Sequence, residues 1–191
     1  MTHGAGGNAK AANLAAIAEA LCAAGWRVLR CDMAFRQRKA SGSPHPSSAA
    51  QDRDSLRDAV QAMRRIGAET VVLGGHSYGG RQSSMLAAEQ PGLVAGLLLC
   101  SYPLHPPGKP DQPRTAHFPE LRTPALFVHG TRDPFGSLEE LTAAVKLIPA
   151  KHELSVVEGA GHDLKQGKFD IDGLIVRKLR ALIPAQAEHH S

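Results

Sequence analysis

The segment Gly75-His76-Ser77-Tyr78-Gly79 sets a serine between glycines, directly after the apolar run Thr70-Val71-Val72-Leu73 and ahead of a stretch of helical composition. A G-x-S-x-G turn in that setting holds the serine hydroxyl exposed on a sharp bend, because its small flanking residues let strand and helix approach each other. Serine is a weak nucleophile at neutral pH and needs a base to take its proton. His162, in Gly159-Ala160-Gly161-His162-Asp163-Leu164, follows the last expected strand and stands on a loop able to aim its imidazole at Ser77. His76 adjoins the serine but is expected to point away from it, and His129, at a strand end, is expected to be structural. A carboxylate must fix the imidazole tautomer and stabilise its cation. Asp133, in His129-Gly130-Thr131-Arg132-Asp133-Pro134, follows another expected strand and is preferred to Asp163, whose adjacency to His162 gives poor geometry. Together these residues would direct the Ser77 hydroxyl at an acyl carbonyl.

Attack on a carbonyl places charge on its oxygen, which backbone amides stabilise. The Tyr78 amide, directly after the serine, is the first expected donor. The second is expected from the glycine-rich start His3-Gly4-Ala5-Gly6-Gly7, with the Ala5 amide preferred and Gly4 an alternative.

Such residues must be positioned by a framework. Leu14, Ile17, Ala18, Leu21 and Cys22 recur at helical spacing before Gly25, which predicts a helix over 10–24. Trp26–Cys31 reads as a strand, Leu56, Val60 and Met63 mark a helix ending near Gly67, and Thr70–Leu73 reads as the next strand. A helix is expected over Ser83–Glu89 and apolar strands at Gly96–Cys100 and Pro124–Val128, the last followed by a helix that Ser137 and Glu140 open with a capping box. That helix is expected to run on through Leu141, Val145 and Ile148. His152–Val157 is a weaker strand, and Leu174, Ile175, Leu179 and Leu182 place a last helix before Pro184. The alternation predicts an α/β fold, a mainly parallel sheet with helices on both faces, with ligands at the carboxyl ends of its strands. One domain is expected over residues 1–183, with 184–191 a disordered tail.

Composition narrows the function. With 42% apolar and 21% charged residues the chain is globular, and no apolar stretch nears the roughly 20 residues that span a membrane. No basic region leads into an apolar one at the start, so a cytoplasmic address is expected. The net charge of +4 is mild and the aromatic content is 4%, which argues against a nucleic-acid surface. The ten histidines show no HExxH spacing. Three cysteines, Cys22, Cys31 and Cys100, lack CxxC spacing and are expected to be reduced core residues.

The segments HGAGG, GGHSYGG, HGTRDPFG and GAGHDL, with the chain order Ser, Asp, His, resemble the α/β-hydrolase superfamily and its small dienelactone-hydrolase-like and KANL/Tex-like members. The resemblance covers nearly the whole chain. It implies a hydrolase acting on an ester or related acyl bond of a small molecule, with no metal or organic cofactor. Dienelactone hydrolases proper carry a cysteine where this chain has Ser77, so their substrate is not implied. The resemblance also implies a strand leading into His3-Gly4, lying between the Trp26–Cys31 and Thr70–Leu73 strands. That strand is missing here, so those two strands are expected either to pair directly, with the glycine loop loosely held, or to flank a truncated start.

About twenty residues separate Cys100 from Pro124, too few for a helical lid. The site is therefore expected to be open. Tyr102, Leu104, His105 and Phe135 follow strand ends and are candidates for an acyl pocket. Arg36, Arg38 and Lys39 follow another and either attract an anionic substrate or form a solvated basic loop. Nothing in the sequence addresses oligomeric state.

Overall fold

The computed structural model describes residues 1–165 and 170–183, so the expected tail at 184–191 lies outside the described residues. Among the described residues four parallel strands, β1 Val72–His76, β2 Gly96–Cys100, β3 Ala125–Gly130 and β4 His152–Val157, pair in sequence order. A helix joins β1 to β2 and another joins β3 to β4, whereas the segment from β2 to β3 holds only the short 3-10 turn Phe118–Glu120; parallel neighbours need such long crossovers. The helices are α1 Ala12–Ala23, α2 Ala34–Arg38, α3 Ala49–Arg65, α4 Tyr78–Glu89, α5 Leu138–Val145 and α6 Ile171–Leu182.

Side chains along the strands divide by the twofold alternation of an extended chain. Leu97, Leu99 and Phe127 face Leu56, Val60, Leu86 and Leu141 of α3, α4 and α5. Leu98, Cys100, Leu126 and Val128 face Ile17 and Leu21 of α1 and Ile175, Leu179 and Leu182 of α6. Every residue of β2 and β3 is buried, which is why both strands read as continuous apolar runs.

Several boundaries shift for local reasons. The helix after Ser77 begins at Tyr78, since the bend at Ser77 turns the chain straight into α4. Ser137 accepts from the Glu140 amide while Glu140 reaches back, closing the capping box, but α5 stops at Val145 before Ile148. The short helix α2 carries no usable period and went unseen in the sequence. Cys22 is exposed rather than buried, whereas the Cys100 thiol is pushed up to about 12 by burial.

Trp26–Arg30 forms no strand. Met1 and Thr2 lie in the lane between its carboxyl end and β1. Cys31 N–H donates to Met1 O at 3.1 Å, Thr2 N–H to Gly74 O at 3.0 Å, and His76 N–H to Thr2 O at 3.1 Å. Thr2 thus bridges both Cys31 and Gly75 in parallel sense, and the two flanking segments do not pair directly there. Above these rungs the lane is a trench of about 550 Å³ walled by residues 26–29 and 70–74. Within residues 26–30, Leu29 O accepts from the Met1 amino group at 2.6 Å, a single contact that makes no ladder. The glycine loop that starts at His3 is nevertheless tied to the sheet.

Candidate active site

Ser77 directly follows β1 and caps α4 with φ 52° and ψ −119°, a backbone conformation that L residues rarely adopt. Its amide donates to Cys100 O at 2.8 Å, so the neighbouring strand end holds the bend in place. Ser77 is 8% exposed, with its hydroxyl oxygen 2.8 Å from His162 Nε2. On the other side of the ring, Nδ1 lies 2.8 and 2.9 Å from the two carboxylate oxygens of Asp133. A carboxylate can only accept, so Nδ1 carries the proton and Nε2 is left to accept from the Ser77 hydroxyl. Asp133 is itself buried, and its Oδ1 accepts from the Phe135 amide at 2.9 Å.

Residues from three strand ends therefore meet in one hydrogen-bonded chain. Asp163 does not enter it: it is exposed, and its Oδ1 accepts from the Lys165 amide at 3.0 Å. His129 is fully buried and donates through Nε2 to Gly136 O at 2.8 Å, a packing contact below the site.

The glycine loop packs against the same bend. His3 is fully buried and donates from Nδ1 to Gly4 O at 2.8 Å, and Gly7 N–H donates to that oxygen at 3.0 Å. Burial holds the His3 pKa below the ordinary histidine value, in keeping with a neutral ring whose Nε2 accepts from Met33 N–H at 3.3 Å. With Gly4 C=O fixed on one side, planarity of the trans peptide turns the Ala5 N–H the opposite way. Ala5 O accepts from Arg36 at 2.9 Å, so both peptides around Ala5 are held. Tyr78 sends its ring away from Ser77. Its hydroxyl donates at 2.9 Å to the buried Asp52, which also accepts from Phe35 N–H at 2.9 Å. Burial, reinforced by Asp52, raises the Tyr78 hydroxyl pKa well above the usual range.

A cavity of about 380 Å³ opens over these groups, lined by Gly4–Gly7, Ala11–Asn13, His76, Ser77, Phe135, His162, Asp163 and Lys165. Of the four residues expected to line an acyl pocket, only Phe135 does so, stacked on the His162 ring at 4.1 Å between centroids. Tyr102 is fully buried against Phe118 and Phe127, with its hydroxyl on Arg114 O at 2.6 Å. Leu104 packs under Gly136, and His105 folds back to Pro106 O at 2.8 Å. The expectation fails for these three because the loop after β2 packs down on the core instead of arching over Ser77. Arg36, offered as a solvated or substrate-attracting charge, is buried, and its guanidinium donates to the carbonyls of Ala5, Lys39 and Gly42. Sequence reasoning missed Arg36 and His3 as supports of the loop. The only signal for Arg36 was its place directly after the apolar Met33-Ala34-Phe35.

Gly75 shows how closely the lane of Thr2 is fitted. A Cβ there would lie 2.2 Å from Thr2 O, a backbone atom with nowhere to go. Gly75→Ala is therefore expected to lower unfolding free energy by about 1–3 kcal/mol through overpacking, read from the denaturant midpoint. An unchanged midpoint would show that Met1–Thr2 is not a fitted part of the sheet.

Residues 1–174 match the family described as alpha/beta hydrolase domain. Among solved structures, the chain is similar to a dienelactone hydrolase from Anabaena variabilis, at 19% identity over 95% of this chain and 84% of that one, with a TM-score of 0.74. It is similar to Est1E from Butyrivibrio proteoclasticus, solved with ferulic acid bound, at 16% identity over 96% and 88% of the two chains and a TM-score of 0.78. A serine hydrolase without a lid from Xanthomonas campestris matches at 17% identity over 97% and 83%, with a TM-score of 0.71.

Proposed function

We propose that this chain, which belongs to the alpha/beta hydrolase family, is a serine hydrolase that cleaves a carboxylic ester or related acyl bond of a small molecule through an acyl-enzyme intermediate. The observation that carries this reading is the continuous chain Asp133–His162–Ser77, with both imidazole nitrogens engaged at 2.8 Å. As Ser77 Oγ attacks the carbonyl carbon, His162 Nε2 takes its proton, and Asp133 stabilises the imidazolium that forms. The carbonyl oxygen becomes an oxyanion that the amides of Tyr78 and Ala5 would receive. Each such donor is worth roughly 3–4 kcal/mol in the transition state. Imidazolium then protonates the departing alcohol as the tetrahedral species collapses to acyl-Ser77. Water, deprotonated by the same imidazole, attacks the acyl group and releases the acid. No cofactor enters these steps.

Labelling of Ser77 by a fluorophosphonate tests the reading, since the probe reacts with an activated serine. Labelling of the wild-type protein is expected, together with hydrolysis of p-nitrophenyl esters, whose acyl length can be varied to define the pocket. A protein that neither labels nor turns over any ester would instead be a non-catalytic scaffold of this fold.

A further inference from the structure

The cavity beside Ser77 contains a second histidine that the steps above do not use. His76 is the last residue of β1, and its side chain does not turn away from the site: its Nε2 lies 2.6 Å from the backbone oxygen of His162. The two rings stand 5.0 Å apart. A carbonyl oxygen accepts and cannot donate, so Nε2 must carry the hydrogen. Burial and the neighbouring His162 hold the His76 pKa down, while its contact with the His162 carbonyl and the charges of Asp133 and Asp163 oppose that. The other nitrogen, Nδ1, faces Gly4, where a Cβ would come within 3.0 Å of it.

We infer that His76 is a positioning residue that fixes the backbone of His162, so that Nε2 of the imidazole stays in line with the Ser77 hydroxyl. The inference rests on the proposed roles of Ser77 and His162. His162 stands on a loop beyond β4, and its neighbours are tied through Arg132 N–H to Ala160 O at 2.9 Å and Leu164 N–H to Gly161 O at 3.1 Å. The second bond holds the Gly161–His162 peptide, but neither holds the His162–Asp163 peptide, which carries the oxygen that His76 meets. Asp133 holds the ring at Nδ1 and Phe135 stacks on its face, but these contacts act on the ring and not on the His162–Asp163 peptide. The His76 bond supplies a second point, and it comes from a rigid element: His76 N–H donates to Thr2 O at 3.1 Å, and its Cα partner in β2 is Cys100. The same strand end thus presents Ser77 and clamps the residue that must meet it. A displacement of about 1 Å at such a junction lowers rate on the order of 10²-fold.

The test compares His76→Phe, which fills the space without a donor, with His76→Gln, whose amide NH2 reaches the same place. Both are assayed for ester hydrolysis and rate of fluorophosphonate labelling, with melting temperature recorded. His76→Phe is expected to lower kcat on the order of 10²-fold with KM little changed, since the bond orients a reacting group and does not touch substrate. His76→Gln is expected to recover most of that loss. Equal turnover in wild type and His76→Phe, or a glutamine variant as slow as phenylalanine, would overturn the inference. Long-range nitrogen–proton NMR of the wild-type imidazole provides a reading that depends on no variant. The Nε2–H tautomer is expected at neutral pH, and an Nδ1–H tautomer would overturn the assignment. Wild-type protein that neither labels nor hydrolyses ester would overturn the reading of the site itself, and the role of His76 with it. A reactive wild type with indifferent variants would overturn only the role of His76.

Discussion

Ser77→Ala and His162→Ala are each expected to lower ester turnover on the order of 10⁶-fold while leaving the fold intact, and the double variant is expected to lose no more than either alone. The three side chains would act as one unit. Without the Ser77 hydroxyl no acyl-enzyme forms. Without His162, nothing described stands at 2.8 Å from that hydroxyl to take its proton. Neither change opens a large cavity, since Ser77 is small and the His162 ring is partly exposed at the cavity wall. Melting temperatures close to wild type should therefore accompany the loss of kcat. Fluorophosphonate labelling should vanish in Ser77→Ala and slow steeply in His162→Ala. Near-wild-type turnover by either purified variant would remove the assignment of these residues, whatever the hydrogen bonds between them.

Asp133→Asn is expected to cost turnover on the order of 10⁴-fold, the scale seen when the equivalent change is made in a well-studied Ser-His-Asp site. The local geometry gives the reason. Oδ1 of Asp133 already accepts from the Phe135 amide at 2.9 Å, so an asparagine would keep its oxygen there and set its NH2 group toward His162. A donor would then replace the carboxylate oxygen that lies 2.8 Å from Nδ1. The imidazole would answer by moving its proton to Nε2, which could no longer accept from Ser77. Asp163→Asn, by contrast, changes an exposed side chain whose bond is to the Lys165 amide, and little effect on kcat is expected. Were Asp163→Asn the more damaging of the two, the acid would have to be reassigned.

The strand-to-helix bend at Ser77 was legible from five consecutive residues and the apolar run before them, because its requirements are local. Small residues flank the bend, a β-branched strand enters it and a helix leaves it. The buried strands β2 and β3 were legible for the same kind of reason, being apolar throughout Gly96–Cys100 and Ala125–Val128. The capping box at Ser137 and Glu140 depends on a separation of three residues, which any chain of that pattern can close.

Beyond the grouping of Ser77, His162 and Asp133, which the turn motif and chain order pointed to, contacts that join distant parts of the chain were not legible. Tyr102, Leu104 and His105 follow a strand end, as pocket residues do, but which way a loop folds depends on the apolar surface waiting beneath it. Phe118 and Phe127 supply that surface for Tyr102. A buried Arg36 requires three carbonyl groups from separate turns to converge on it, at Ala5, Lys39 and Gly42. The bond from His76 to His162 spans 86 positions and uses a backbone oxygen, a group every residue possesses and no residue type advertises. Thr2 precedes the glycine loop with no strand-like run around it, yet it is a rung between Cys31 and Gly75 because two other segments present their edges to it. Chemical identity and chain order are properties of single residues and short windows, which a sequence displays directly. Direction, burial and partnership arise only when segments far apart are packed together, since an extended chain leaves each polar group to water and each loop free to point anywhere.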